Sequence, residues 1–120
     1  GDMAFTSRIM GAGNSPFAAV AINGDLADNL TATGTTQTDA LGLTSVFNIV
    51  GTTAASTGVR LMTSEPAGEV VVKNLGANTL NVYPSTGQAI NALAANAAFT
   101  IAAGASAVFL GRASGGWVNV

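Results

Sequence analysis

Short runs of β-forming residues alternate with turn-forming residues along nearly the whole chain, at intervals of about 8–12 residues. Residues 46–50 read Val-Phe-Asn-Ile-Val and residues 69–74 read Glu-Val-Val-Val-Lys-Asn, with Pro66-Ala-Gly68 between them. Further runs occupy residues 26–37, 58–62, 79–83, 88–90, 98–102, 105–110 and 117–120. This spacing predicts an all-β fold, an antiparallel β-sandwich or a jelly-roll-like barrel of about eight short strands.

The first 25 residues follow a different pattern. Gly11, Gly13 and Pro16 interrupt them in mid-segment, and this cluster prevents a long regular element. We therefore expect an amino-terminal arm over residues 1–25 and a β-sandwich domain over residues 26–120. Gly1 and Asp2 precede Met3, and we expect these two residues to be a remnant of recombinant expression.

The arm nevertheless carries large apolar side chains, which a solvated tail does not need. Phe5, Ile9, Met10 and Phe17 are the candidate contact residues, and they are expected to dock on the body of the chain, a neighbouring copy or another protein.

One segment is ambiguous in secondary structure. Residues 89–98 are rich in Ala, which favours a helix, but Asn91 and Asn96 interrupt them and no charged pairs support a helix. We predict a short strand at residues 88–90 followed by a loop. Alternation within the predicted strands selects a core of Phe47, Ile49, Val59, Leu61, Val70, Val72, Leu80, Val82, Ile90, Leu93, Phe99, Ile101, Val108, Leu110 and Trp117.

Charge is scarce in this 120-residue chain. Only 8% of the residues are charged, against roughly 25% in typical soluble domains, and the net charge is −2. Four separated basic residues do not neutralise a run of phosphates, so we expect neither nucleic-acid binding nor binding to an anionic membrane. A surface with so few charges favours burial against copies of the chain or within an assembly.

Residues that carry catalysis or bind metals are also few. The chain has no Cys and no His, which excludes a thiolate nucleophile and the common zinc ligands. Asp25 and Asp28 have the alternatives of turn residues, paired catalytic carboxylates or calcium ligands, and their turn context favours the first. Glu65 and Glu69 flank a turn and are either solvated or in contact with a partner copy. We predict no enzymatic activity, no cofactor and no metal.

The aromatic residues Tyr83 and Trp117 have two interpretations as well. They are stacking platforms for a sugar or members of the core or an interface, and the latter is commoner for a lone Trp in a small β-domain.

Several segments between residues 40 and 120 form a recurring pattern: residues 58–61, 68–74, 89–91 and 99–104, Trp117, and the Asn-Thr-Leu-Asn-Val-Tyr-Pro stretch that ends at Pro84. On these segments, residues 40–120 resemble a domain of structural proteins of tailed bacteriophages. This resemblance implies a β-sandwich body, commonly a homotrimer, with the amino-terminal part used for attachment.

The resemblance also implies a function. We expect a capsid decoration or cement protein that binds the major capsid protein on the outer surface of the virion. The alternative is a fibre or tail-tip domain that binds a host-surface glycan, and it requires an exposed Trp117 or Tyr83.

Overall fold

The structure is a computed structural model, and it describes residues 25–120. This part of the chain forms nine strands and no helix, so the all-β prediction is confirmed. The strands are β1 (Leu26–Thr31), β2 (Leu41–Gly42), β3 (Phe47–Thr52), β4 (Gly58–Arg60), β5 (Glu69–Asn74), β6 (Leu80–Tyr83), β7 (Phe99–Ile101), β8 (Ser106–Gly111) and β9 (Trp117–Asn119). They form a five-stranded sheet in the order β1-β3-β5-β8-β9 and a four-stranded sheet in the order β2-β4-β6-β7.

The chain alternates between the two sheets from β1 to β6. Odd-numbered strands enter the five-stranded sheet and even-numbered strands enter the other, so that three successive two-strand coils stack on one another. Within each sheet, β1, β3 and β5 are parallel, and so are β2, β4 and β6. The last three strands pair antiparallel with their neighbours: β7 with β6, β8 with β5, and β9 with β8, so that β9 runs in the same direction as β5.

The prediction of an antiparallel sandwich or jelly-roll-like barrel is therefore wrong in its strand directions, because both sheets are mixed. Residues 75–78 illustrate the reason. The sequence predicts a hairpin loop there, but this segment carries the chain from β5 in one sheet to β6 in the other. A turn that crosses between sheets and a turn that closes a hairpin use the same Gly and Asn residues.

Side chains from both sheets share one hydrophobic core. Its largest fully buried members include Trp117 and Phe109, and the Phe109 ring meets that of Phe99 edge-on with centroids 5.4 Å apart. The core comprises Ala32, Leu43, Val50, Val59, Leu61, Val70, Val72, Leu80, Val82, Ile90, Ile101, Ala107, Phe109 and Trp117.

Two strands point the opposite way from the prediction. In β3 the buried side chains are Asn48 and Val50, and Phe47 and Ile49 are half-buried outside the core. In β8 Phe109 is buried in the core, whereas Val108 and Leu110, which were predicted there, are not part of it.

The Ala-rich segment forms turns after residue 90, as predicted, but the strand predicted at residues 88–90 is absent and the core assignment holds only in part. Ile90 is fully buried and forms an isolated parallel bridge with Trp117, but Leu93 is 40% exposed. No membrane-crossing helix is present in residues 25–120.

Two buried Asn side chains lie in the interior. Asn74 uses its whole hydrogen-bonding capacity: Oδ1 accepts from Thr53 Oγ1 at 2.8 Å and from the Gly76 amide at 3.0 Å. Its Nδ2 donates to the carbonyl oxygens of Asn78 at 2.8 Å and Ile101 at 3.1 Å. This side chain therefore ties the turn after β5 to strand β7.

Candidate interaction surface

The five-stranded sheet is apolar on the side that faces away from the core. We call this side the outer face and define it by the ten paired positions that point outward. Seven of these ten are apolar. They are Leu26, Phe47, Ile49, Val71, Val108, Leu110 and Val118, and the other three are Glu69, Lys73 and Ser106.

Alternation along β5 establishes this orientation. Val70 and Val72 belong to the core, so Glu69, Val71 and Lys73 point to the other side of the sheet. Val71 pairs with Phe47 on one side and with Val108 on the other. Val71 lies at the centre of the outer face, and it is 0% exposed although it is not a member of the core.

Two of the charged residues of the body lie on this face. Glu69 pairs with Leu110, and partial burial raises the pKa of its carboxyl above the ordinary value. Lys73 pairs with Ile49 and donates from Nζ to the Gly104 carbonyl oxygen at 2.6 Å. The charges thus sit at opposite ends of β5 and leave the centre of the face apolar.

The edge strand β1 is irregular. Its register with β3 shifts twice, and Asn29 has a φ of 56°. The Asn29 amide donates to Asp28 Oδ1 at 2.7 Å. Bulges and charged side chains are devices that discourage a further strand from adding to an open edge, so this edge is a poor site for strand addition.

The carboxylates near this edge have local structural roles. Asp25 Oδ2 accepts a hydrogen bond from the Val46 amide at 3.2 Å, and Asp28 Oδ1 accepts one from the amide of the next residue, Asn29. No group of three acidic side chains within residues 25–120 is arranged to hold a metal ion. The turn-residue interpretation is wrong for Asp28, which lies within β1, while Asp25 directly precedes that strand.

Glu65 and Glu69 line one shallow pocket. It has a volume of about 170 Å³, and Val46, Met62 and Trp117 also contribute to its wall. Pockets that bind drug-sized ligands are roughly 300–1,000 Å³, so this one accommodates at most a very small group. Arg60 bonds a different part of the body: its Nη1 donates to the carbonyl oxygens of Gln37 at 2.8 Å and Thr38 at 3.2 Å.

The two aromatic candidates for sugar stacking differ in exposure. Trp117 is 2% exposed, and its indole nitrogen donates to the Met62 carbonyl oxygen at 3.2 Å. Trp117 therefore belongs to the core. Tyr83 is half-buried, and its hydroxyl donates to the Thr35 carbonyl oxygen at 3.3 Å.

The predicted contact residues Phe5, Ile9, Met10 and Phe17 lie outside the described residues. The structure does supply a surface that the sequence did not predict, the outer face. The sequence does contain a pattern that indicates this face: in β3 and β8 apolar residues occupy both alternating sets of positions, as in residues 107–110.

Comparison with known proteins identifies no matching family model, no matching curated protein and no matching solved structure.

Proposed function

We propose that the chain is a structural protein of a tailed-bacteriophage virion, a capsid decoration or cement protein that binds the outside of the head as a homotrimer and stabilises it. The observation that carries this proposal is the outer face, an apolar sheet surface on the side opposite the core.

A sheet with one solvated face normally alternates between apolar and polar side chains. Here the central row of the outer face reads Leu26, Phe47, Val71 and Val108 across four strands. Charged residues are 8% of the chain, so little on the rest of the surface opposes association. Both features suit a protein that functions inside an assembly.

The mechanism is mechanical. The arm residues Phe5, Ile9, Met10 and Phe17 contact the major capsid protein, and each contact raises the work needed to separate neighbouring capsid subunits. Cyclic symmetry closes the contacts between copies without open-ended growth. Three arms in one trimer bind with an avidity that exceeds the affinity of a single arm.

The alternative function, a fibre or tail-tip domain that binds a host glycan, has less support. It requires an exposed aromatic platform, and the indole of Trp117 is buried. Tyr83 alone retains partial exposure, beside the loop that contains Thr35.

The test uses phage particles from an induced lysate of the source organism and an antibody raised against the chain. Gold label over the heads in electron micrographs supports a decoration protein. Label confined to fibres or tail tips favours the alternative, and particles without label refute both. Light scattering is expected to give a mass of about three times 11.8 kDa.

Arm variants then test the attachment. The chain with Phe5→Ser, Ile9→Ser and Met10→Ser is expected to lose binding to heads from which the native protein has been stripped. The matched control changes polar residues of the same arm, Thr6→Ala and Ser7→Ala, and is expected to bind normally. Equal binding by both variants would remove the arm from the mechanism.

A further inference from the structure

We infer that the outward side of the four-stranded sheet binds a carboxylate-bearing sugar, with Arg60 holding the carboxylate and the ring of Tyr83 packing on the sugar. This side lies opposite the outer face, across the core that the two sheets share. The inference therefore does not depend on the proposed function, and both sides can be used in one molecule.

The outward side of the four-stranded sheet is polar, in contrast to the outer face. Leu80 and Val82 belong to the core, so the alternating residues of β6 point away from it. The strand registers place six residues on this side, which we call the polar face: Gly42, Gly58, Arg60, Asn81, Tyr83 and Thr100. Because burying these polar groups against an apolar surface would cost free energy, the polar face suits a polar ligand.

Two glycines let the large side chains of the polar face lie along the sheet. A Cβ at Gly58 would stand 2.8 Å from Tyr83 Cε2, and one at Gly42 would stand 3.2 Å from Arg60 Nη2. The phenol ring therefore covers Gly58, and the guanidinium covers Gly42. Arg60 and Tyr83 are paired on adjacent strands about 4.8 Å apart, so the two planar groups form one platform.

Hydrogen bonds to one loop fix both side chains of this platform. Arg60 Nη1 donates to the carbonyl oxygens of Gln37 and Thr38. The Tyr83 hydroxyl donates to the carbonyl oxygen of Thr35 in the same loop. A ligand then meets side chains that are already held in place, which reduces the conformational entropy lost on binding.

Arg60 keeps unused hydrogen-bond donors and a charge without a counter-ion. Its Nη2 and Nε make no hydrogen bond, and no carboxylate pairs with it, within residues 25–120. The Asp39 carboxylate is engaged by its own loop, where Oδ1 accepts from the Thr35 and Thr36 amides. Nη2 and Nε of Arg60 can therefore form the paired bonds by which a guanidinium binds a carboxylate.

The neighbouring groups favour a sugar as the body of the ligand. The half-buried ring of Tyr83 offers an apolar surface to the C–H groups of a pyranose. Asn81 lies two residues away on β6, and its Oδ1 accepts no hydrogen bond within residues 25–120, which leaves an acceptor for a sugar hydroxyl. Arg60, Tyr83 and Asn81 span about 7 by 5 Å, which accommodates one sugar ring.

Titration of the nitrogen-labelled full chain with two carboxylated sugars, followed by two-dimensional NMR, tests the inference. The probes are methyl β-glucuronide and the methyl glycoside of N-acetylneuraminic acid, and the matched neutral ligand is methyl β-glucoside. The Nε–H resonance of each arginine reports on its own side chain. Arg112 is exposed beyond β8 in the other sheet and is the internal control.

We expect at least one carboxylated sugar to shift the Arg60 Nε–H resonance and not that of Arg112, and the glucoside to bind at least about tenfold more weakly. Arg60→Gln should abolish the response, and the matched variant Arg112→Gln should leave it unchanged. Tyr83→Phe keeps the ring and should retain binding, whereas Tyr83→Ala should weaken it. Trp117 emission verifies that each variant is folded, since this residue is buried in the core.

Three results would overturn the inference. The first is no shift at Arg60 with either carboxylated sugar up to roughly 20 mM. The second is an equal shift at Arg60 and Arg112, because general charge attraction would then account for the response. The third is equal affinity for methyl β-glucuronide and methyl β-glucoside, because Arg60 would then hold no carboxylate.

Discussion

Replacement of Asn74 by Ala tests how much one buried polar side chain contributes to this fold, and Asn48→Ala is a closely matched control. Both Asn side chains are 0% exposed and lie in neighbouring strands of the same sheet. The same atoms are removed in each variant, so the transfer and cavity contributions largely cancel in the comparison. The remaining difference reports the hydrogen bonds.

Those bonds differ in number and quality. Asn74 makes four, between 2.8 and 3.1 Å, which include both of its amide donors. Asn48 makes two through Nδ2, at 2.9 Å to the Ser45 carbonyl oxygen and 3.3 Å to the Val71 carbonyl oxygen. Its Oδ1 has no hydrogen-bond partner among the described residues.

A net contribution of about 1 kcal/mol per bond, together with the partners that Asn74→Ala leaves unpaired, makes this variant about 3 kcal/mol less stable than Asn48→Ala. At about 4 °C per kcal/mol for a domain of this size, the two melting temperatures should differ by about 12 °C.

Urea unfolding at fixed protein concentration, followed by the fluorescence of the single buried Trp117, measures both variants. Free energies of unfolding that agree within about 0.5 kcal/mol would show that the Asn74 bonds are no better than the bonds to water that replace them. The conclusion that the four Asn74 side-chain hydrogen bonds stabilise the fold would then be wrong.

Two further predictions concern the close contact at Gly111 and the titration of the Asp39 carboxylate. Gly111→Ala should lower the free energy of unfolding in urea by at least about 2 kcal/mol, because the added Cβ collides with the main-chain carbonyl of Glu65. Gly87→Ala is the control and should lower it by only about 1 kcal/mol, because Gly87 has a positive φ but its Cβ would meet open space. Equal losses in the two variants would contradict the Gly111 contact. Hydrogen bonds from the Thr36 side chain and amide hold the pKa of Asp39 below 3.8, so its carboxylate stabilises the fold above pH 3.8 and this contribution is lost as the pH falls through the lowered pKa. Asp39→Asn should therefore lower the melting temperature at pH 7 and have a diminishing effect below pH 3.8, and an effect independent of pH would refute the assignment.

Local patterns in the sequence were enough to locate most strands. The runs at residues 46–50, 69–74 and 105–110 became β3, β5 and β8 within two residues, because β-branched and aromatic residues bounded by Gly, Pro and Asn specify extended backbone locally. The two-residue strand β2 was missed because Leu41–Gly42 is too short to show a period.

Only the tertiary structure decided which strands pair and which face of each strand is buried. Parallel pairing of β3 with β5 joins residues 24 positions apart, such as Phe47 and Val71, and the chain visits the other sheet between them. Nothing local distinguishes that path from a hairpin.

The outer face could not be predicted from the sequence for a related reason. A strand has a side-chain period of two, so burying Asn48 and Val50 instead of Phe47 and Ile49 requires a shift of only one residue. Because β3 and β8 carry apolar residues on both faces, hydrophobicity alone could not choose between them. The packing of Phe109 and Val50 against the second sheet made that choice and left Phe47, Val71 and Val108 on the outer face.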